Sequence, residues 1–121
     1  MTRKTWAKRI KNACEEVGTY KPAFDSMIDA LARILELRDN AQKKFEESGG
    51  ETIVRHTNKS GQTNTVKNPA LVVVMDCNAQ ALAYWRDLGL SPAGLKRINE
   101  AALKEAKKET ALERALREFG T

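Results

Sequence analysis

The chain has 121 residues, 41% of them hydrophobic and 31% charged, with a formal net charge of +5. That length fits one domain with a modest core that needs no staples. The longest wholly apolar run, Ala70–Met75, is far too short for a helix to cross a membrane. The opening MTRKTWAKRIKN is charged with no apolar segment behind it, which argues against a signal peptide. Cys14 and Cys77 belong to no CxxC or His/Cys cluster; two buried thiols are the favoured reading, with a disulfide as the alternative.

Charge is unevenly placed. Residues 1–20 carry five basic and two acidic side chains, residues 51–69 three and one, and residues 91–121 seven and five. Residues 21–50 carry five and six, and residues 70–90 one and two. Basic ends and a basic middle segment around near-neutral apolar helices suit a protein that meets a polyanion. Solvated lysines on a basic protein are the plainer reading of the same counts.

Trp6, Ile10, Ala13 and Val17 recur at helical spacing and predict a first helix over 5–17, stopped by Gly18. A second begins near Pro22, a residue suited to a first helical turn. Its apolar face is Phe24, Met27, Ile28, Leu31, Ile34, Leu35, Ala41 and Phe45, and it ends at Gly49–Gly50. At about 1.5 Å per residue it is about 40 Å long. In ETIVRHTNKSGQTNTVKNP, the β-branched stretches Thr52–Thr57 and Thr63–Lys67 flank the turn cluster Asn58–Gly61, which predicts a two-stranded hairpin. It is too poor in large apolar residues to stand alone and has to lie against a helix or a neighbouring subunit.

Asn68–Pro69 opens a third helix over 70–88. Val72–Val74 are weak helix formers, and a buried strand is the competing reading there. The spacing through Ala81, Leu82, Tyr84, Trp85 and Leu88 decides for a helix, apolar on nearly all sides and so to be buried on nearly all sides. Gly89 ends it; Ser91 is a good N-cap and Pro92 a good first residue for the last helix. That helix runs to about residue 118 with Leu95, Ile98, Ala102, Leu103, Ala106, Leu112, Ala115, Leu116 and Phe119 inward. Its apolar face is thin between Lys104 and Thr110, which reads as an exposed extension.

The fold expected is therefore mainly α: long helices forming a helical hairpin, with one small two-stranded β-hairpin between them. It divides into a basic N-terminal helix (1–20), an oligomerisation core (21–98) and a C-terminal helical extension (99–121). A compact domain of this size has a radius of gyration near 14 Å, so a helix of about 40 Å protrudes from it. Protruding apolar helices need a cover, and another copy of the chain supplies one. The expectation is a homo-oligomer assembled through Leu71, Val72, Val74, Met75, Leu82, Trp85 and Leu88; an elongated monomeric helical pair is the alternative.

Little in the sequence supports catalysis. The single histidine, His56, falls in the hairpin with no Cys or carboxylate partner nearby, and no metalloprotease, nucleophile-elbow, phosphate-loop or dinucleotide motif occurs. No catalytic residue, metal site or cofactor is expected. Nucleic-acid binding has more to build on. Arg3, Lys4, Lys8, Arg9 and Lys11 cluster around Trp6, with Lys4, Lys8 and Lys11 on one helical face. Ala13–Met27 admits a helix-turn-helix reading, with Cys14, Val17, Phe24 and Met27 at suitable places. Its recognition helix would carry Asp25 and Asp29 and only Lys21 as a nearby cation. Lys96 and Arg97 sit in the first turns of the last helix, where cations oppose the helix dipole, a choice that hints at an anionic partner.

NPAL at 68–71, followed about twenty residues later by LGLSPAGLKRI at 88–98, resembles the small subunit of tailed-phage terminases. The branch is the one in which an Asn- or His-Pro opens a helix, followed by Gly-Leu-Thr/Ser-Pro and a basic residue. The long helix ending in Gly-Gly and the Thr/Asn hairpin are similar too, so the resemblance covers roughly residues 20–100. Leu95 stands where that family often has arginine, while Arg97 matches a second basic position. The resemblance implies a non-enzymatic DNA-recognition subunit, forming a homo-oligomeric ring of about eight to ten copies. Its implied partners are double-stranded viral DNA and the terminase large subunit, the ATPase and nuclease, in the cytoplasm of a bacterial host. It implies no membrane partner. A dimeric helix-turn-helix regulator and a structural helical adaptor without a DNA role are the competing functions.

Overall fold

A computed structural model describes residues 1–119, Phe119 by its backbone alone. The first helix, α1 (Arg3–Val17), is capped at both ends. The Thr2 hydroxyl accepts from the Thr5 amide, and Gly18, at φ 77°, turns the chain so that its own amide donates to Glu15 and that of Thr19 to Cys14. A single 3-10 turn, Pro22–Phe24, precedes α2 (Asp25–Glu47). With Pro22 in that tighter turn, the α-helix proper is 23 residues long, about 35 Å.

α1 lies lengthwise along α2. Near one end Arg3 is ion-paired with Asp29 and its amide donates to Glu36 Oε2 at 2.6 Å. Trp6 Nε1 donates to Asp39 Oδ2 at 2.7 Å. Towards the other end Ile10 and Cys14 are buried in one cluster with Ile28, Leu31, Ala32 and Leu35 of α2. Contact over the whole length of α1 makes an antiparallel pair, not the steep crossing of a helix-turn-helix.

Residues Ile53–Thr57 (β1) and Thr63–Lys67 (β2) pair antiparallel in the register Ile53↔Lys67 through Thr57↔Thr63. Asn58 Oδ1 accepts from the amides of Ser60 and Gln62 and shapes the turn. Every side chain of the two strands is exposed except the half-buried Val54, so the hairpin projects from the body instead of lying on a helix of its own chain.

α3 (Pro69–Asp87) makes its most extensive contact with α2. The Val72–Val74 run is helical, and Val74, Cys77 and Ala81 are its buried residues. The core is completed by Leu88, fully buried just past the helix end. Both cysteines are buried thiols, and burial pushes the pKa of each up. No helix among the described residues is long and apolar enough to cross a membrane.

α4 (Pro92–Phe119) has 28 residues, about 42 Å of helix, but packs on the body only through its first turns. Gly94 is buried and Leu95 and Ile98 are half-buried. From Asn99 to Glu118 every side chain is exposed except the half-buried Ala115. The inward placement expected for Ala102, Leu103, Ala106, Leu112 and Leu116 is thereby corrected: among the described residues no element lies opposite them. The Phe119 side chain lies outside the described residues.

Candidate nucleic-acid and assembly surfaces

The corner between α3 and α4 is built against the corner between α1 and α2. Gly89 takes φ 74°, its amide donating to Arg86 and that of Leu90 to Trp85 at 2.8 Å. A Cβ there would meet Thr19 Cγ2 at 2.8 Å and Ile98 Cδ1 at 2.9 Å. Thr19, itself buried, donates its hydroxyl to the Leu88 carbonyl at 2.8 Å and so pins the two corners together. Ser91 Oγ accepts from the Gly94 amide at 3.1 Å and caps α4. A Cβ on Gly94 would run into the Arg86 carbonyl, so only glycine lets α4 approach α3 this closely. The Gly-Leu-Ser-Pro stretch and Gly94 together fix the direction in which α4 leaves the body.

A second joint is Asn68. It is buried with its side-chain atoms satisfied: Oδ1 accepts from the Ala70 amide at 3.0 Å, and Nδ2 donates to the Glu51 carbonyl at 2.9 Å and to Ser48 Oγ at 3.3 Å. One side chain thus caps α3 and ties the base of the hairpin to the end of α2.

The basic residues expected to meet DNA fall in separate places. Arg3 is half-buried and ion-paired with Asp29, whose pKa that guanidinium, with Arg33 second, holds below the ordinary range. Lys8 and Lys11 border a groove whose other side carries Asp25 and Asp29. Lys11 sits 4.9 Å from the centre of the Tyr20 ring, and the Tyr20 hydroxyl donates to Asp25 at 2.8 Å, which raises its pKa. Lys4, Arg9 and Lys21 are exposed. Lys96 and Arg97 are exposed on α4, beyond the Gly89–Pro92 corner. The N-terminal cluster is therefore partly neutralised by α2, and Lys96 and Arg97 stand on another helix.

The residues expected to bind another copy divide as sharply. Val74 is 7% exposed and Leu88 0%; both are buried in this chain's own core. Leu71 and Trp85 are half-buried. Met75 and Leu82 are 61% and 69% exposed and Val72 also stands out. Leu71, Met75, Asn78, Leu82 and Trp85 recur at intervals of four, three, four and three along α3, a coiled-coil-like spacing on one side of a helix.

Sequence reasoning missed a polar cluster beside that seam. Asp39 accepts from Trp6 Nε1 and from Arg38, whose guanidinium lies 5.4 Å from the Trp6 ring and reaches Asn78 Oδ1 at 3.5 Å. Burial raises the Asp39 pKa, but the hydrogen bonds from Trp6 and Arg38 outweigh it and leave the pKa below the ordinary value. Partners 33 and 40 residues apart leave no local pattern to read. His56 is exposed on β1. Among the described residues no group of three or more His, Cys, Asp or Glu is placed to hold a metal.

The family model "Phage terminase, small subunit" matches residues 2–105. The chain belongs to the phage terminase small subunit family. The match takes in α1, α2, the hairpin, α3 and the first half of α4, and ends where the exposed arm of α4 has already left the body. No curated protein and no solved structure matches the chain.

Proposed function

We propose that this terminase small subunit is the non-catalytic, DNA-recognising part of a phage packaging motor. It binds viral duplex DNA at the packaging start and delivers it to the large terminase subunit, in the cytoplasm of the bacterial host. It works as a ring of identical chains. The observation that carries the reading, beyond family membership, is the outward side of α3: Val72, Met75 and Leu82 form an apolar seam that nothing among the described residues covers, and a second chain is the cover it fits. Val74 and Leu88 hold α3 in place; Leu71 and the half-buried edge of Trp85 extend the seam.

For DNA, the exposed cations Lys4, Lys8, Arg9 and Lys21 remain the N-terminal candidates, with Lys11 beside Tyr20. Arg3 acts as a strut between α1 and α2. Lys96 and Arg97 form the second candidate group. The experiment is light scattering combined with titration of a viral packaging-start duplex at several salt concentrations. A closed multimer with salt-dependent affinity is expected. A concentration-independent dimer would favour a regulator, and no affinity at low salt would favour a structural adaptor.

A further inference from the structure

α4 sorts its charges by side. At about 100° per residue, Lys96, Arg97, Lys104, Lys107, Lys108 and Arg114 fall within about 120° of arc. Two acids, Glu100 and Glu118, share that arc. The opposite side begins with Gly94, Leu95 and Ile98, by which the helix packs on the body, and continues through Glu105, Glu109, Leu112 and Leu116. The cationic side therefore points away from the body. All six cations are exposed, and among the described residues none of them forms an ion pair. This holds even though Glu100 stands four residues before Lys104, an order that favours pairing.

Six outward cations on one rigid helix carry a repulsion that an anionic partner would relieve. The centre of a protein–protein interface is depleted in lysine and needs an apolar anchor. This arc offers only the small Ala111 and Ala115, with Leu103 just past its edge, and the larger apolar residues Leu112 and Leu116 lie on the other side of the helix. The row extends from Lys96 to Arg114, about 27 Å along the axis, and suits the phosphates of a duplex, which accept point charges without reading bases. Lys107, Lys108 and Arg114 also lie beyond the segment that defines the family.

We propose that the outward face of α4 is a second, sequence-independent contact for the phosphate backbone of duplex DNA. It rests on the DNA-binding reading above and extends it from Lys96 and Arg97 to Lys104, Lys107, Lys108 and Arg114. The test uses the full chain carrying Lys104→Ala, Lys107→Ala, Lys108→Ala and Arg114→Ala, titrated with a mixed-sequence duplex over a range of sodium chloride concentrations. Alanine keeps the helix, and circular dichroism checks that it does. Loss of four phosphate contacts lowers the slope of log affinity against log salt by about 3.6. Replacing the three lysines with arginine (Lys104→Arg, Lys107→Arg, Lys108→Arg) keeps the slope, and Glu105→Ala with Glu109→Ala does not reduce it. If the wild-type protein binds duplex and the fourfold alanine variant binds with the same slope, the face is not a DNA contact, whether or not it then proves to hold an acidic protein. If the wild-type chain binds no duplex even at low salt, the DNA-binding reading itself falls, and this proposal with it.

Discussion

Gly89, Gly94 and Thr19 show how single residues set the direction of an entire helix. Gly18 and Gly89 share a left-handed backbone, at φ 77° and φ 74°, but Gly18 faces open space and Gly89 faces Thr19 and Ile98. Replacing Gly18 with alanine adds only backbone strain, about 1–2 kcal/mol. Gly89→Ala adds the same strain and a clash with packed side chains, about 1–3 kcal/mol more. Urea midpoints of the two variants should therefore separate in that order; equal midpoints would mean that the two corners do not interlock. Asp29 and Asp39 give a second prediction at this scale. Both have pKa values depressed in the folded state, Asp29 by Arg3 and Arg33, Asp39 by Trp6 and Arg38 against the opposing effect of burial. A depressed carboxyl stabilises the fold above its unfolded pKa of about 3.9, and that stability is lost as pH falls through the folded value. Denaturation midpoints should hold near neutral pH and fall below about pH 4. In Asp29→Asn with Asp39→Asn, the midpoint at neutral pH drops and the acid-side decline flattens. An unchanged acid limb would remove these carboxylates as its cause.

At the scale of elements, Asn68 couples the hairpin, α2 and α3. Asn68→Ala removes a cap, about 1 kcal/mol, and a hydrogen bond to the Glu51 carbonyl, about 0.5–1.5 kcal/mol. The expected result is a lower urea midpoint together with faster amide exchange in β1 and β2. The control Asn58→Ala, at the exposed turn, should change exchange at the tip and leave the midpoint alone. The elements themselves were legible because their signals are local. Gly18, Pro22, the Asn58–Gly61 cluster, Asn68–Pro69 and Gly89–Pro92 are stops and starts that act within a few residues, and the hairpin strands came out within a residue of their pattern. Which side of a helix faces which neighbour was less legible. α3 is apolar on most of its circumference, so its periodicity could not separate the core-facing Val74 and Leu88 from the outward Met75 and Leu82. α4 has an apolar stripe that the sequence reading turned inward, yet after Ile98 no other described element packs against it. Gly94 carried a readable signal, since glycine in a first helical turn is locally unfavourable and marks a close approach, here to the Arg86 carbonyl.

The molecule as a whole is a three-helix body from which a hairpin and about 30 Å of α4 extend unsupported. Its own core uses one side of α3 and leaves Val72, Met75 and Leu82 exposed on the other; on the proposed reading, folding uses the first side and assembly the second. Substitutions on the two sides should then have opposite signatures. Met75→Lys with Leu82→Lys places charges where the single chain already meets solvent, and such surface changes alter stability by about 0.5 kcal/mol or less per site. The expected outcome is a protein with unchanged helical circular dichroism whose light-scattering mass falls to that of one chain. Val74→Lys puts a charge into a site that is 7% exposed, where no partner offsets its desolvation, and it should lose helicity at the same temperature. Asn78 lies in the seam between Met75 and Leu82, and its contact with Arg38 at 3.5 Å leaves its amide able to bond across to another chain. A polar residue at such a position fixes register at some cost in stability. Asn78→Leu should tighten association while broadening the distribution of masses, because an all-apolar seam no longer discriminates between alignments. A double lysine variant that keeps the wild-type mass would detach the seam from the proposed assembly.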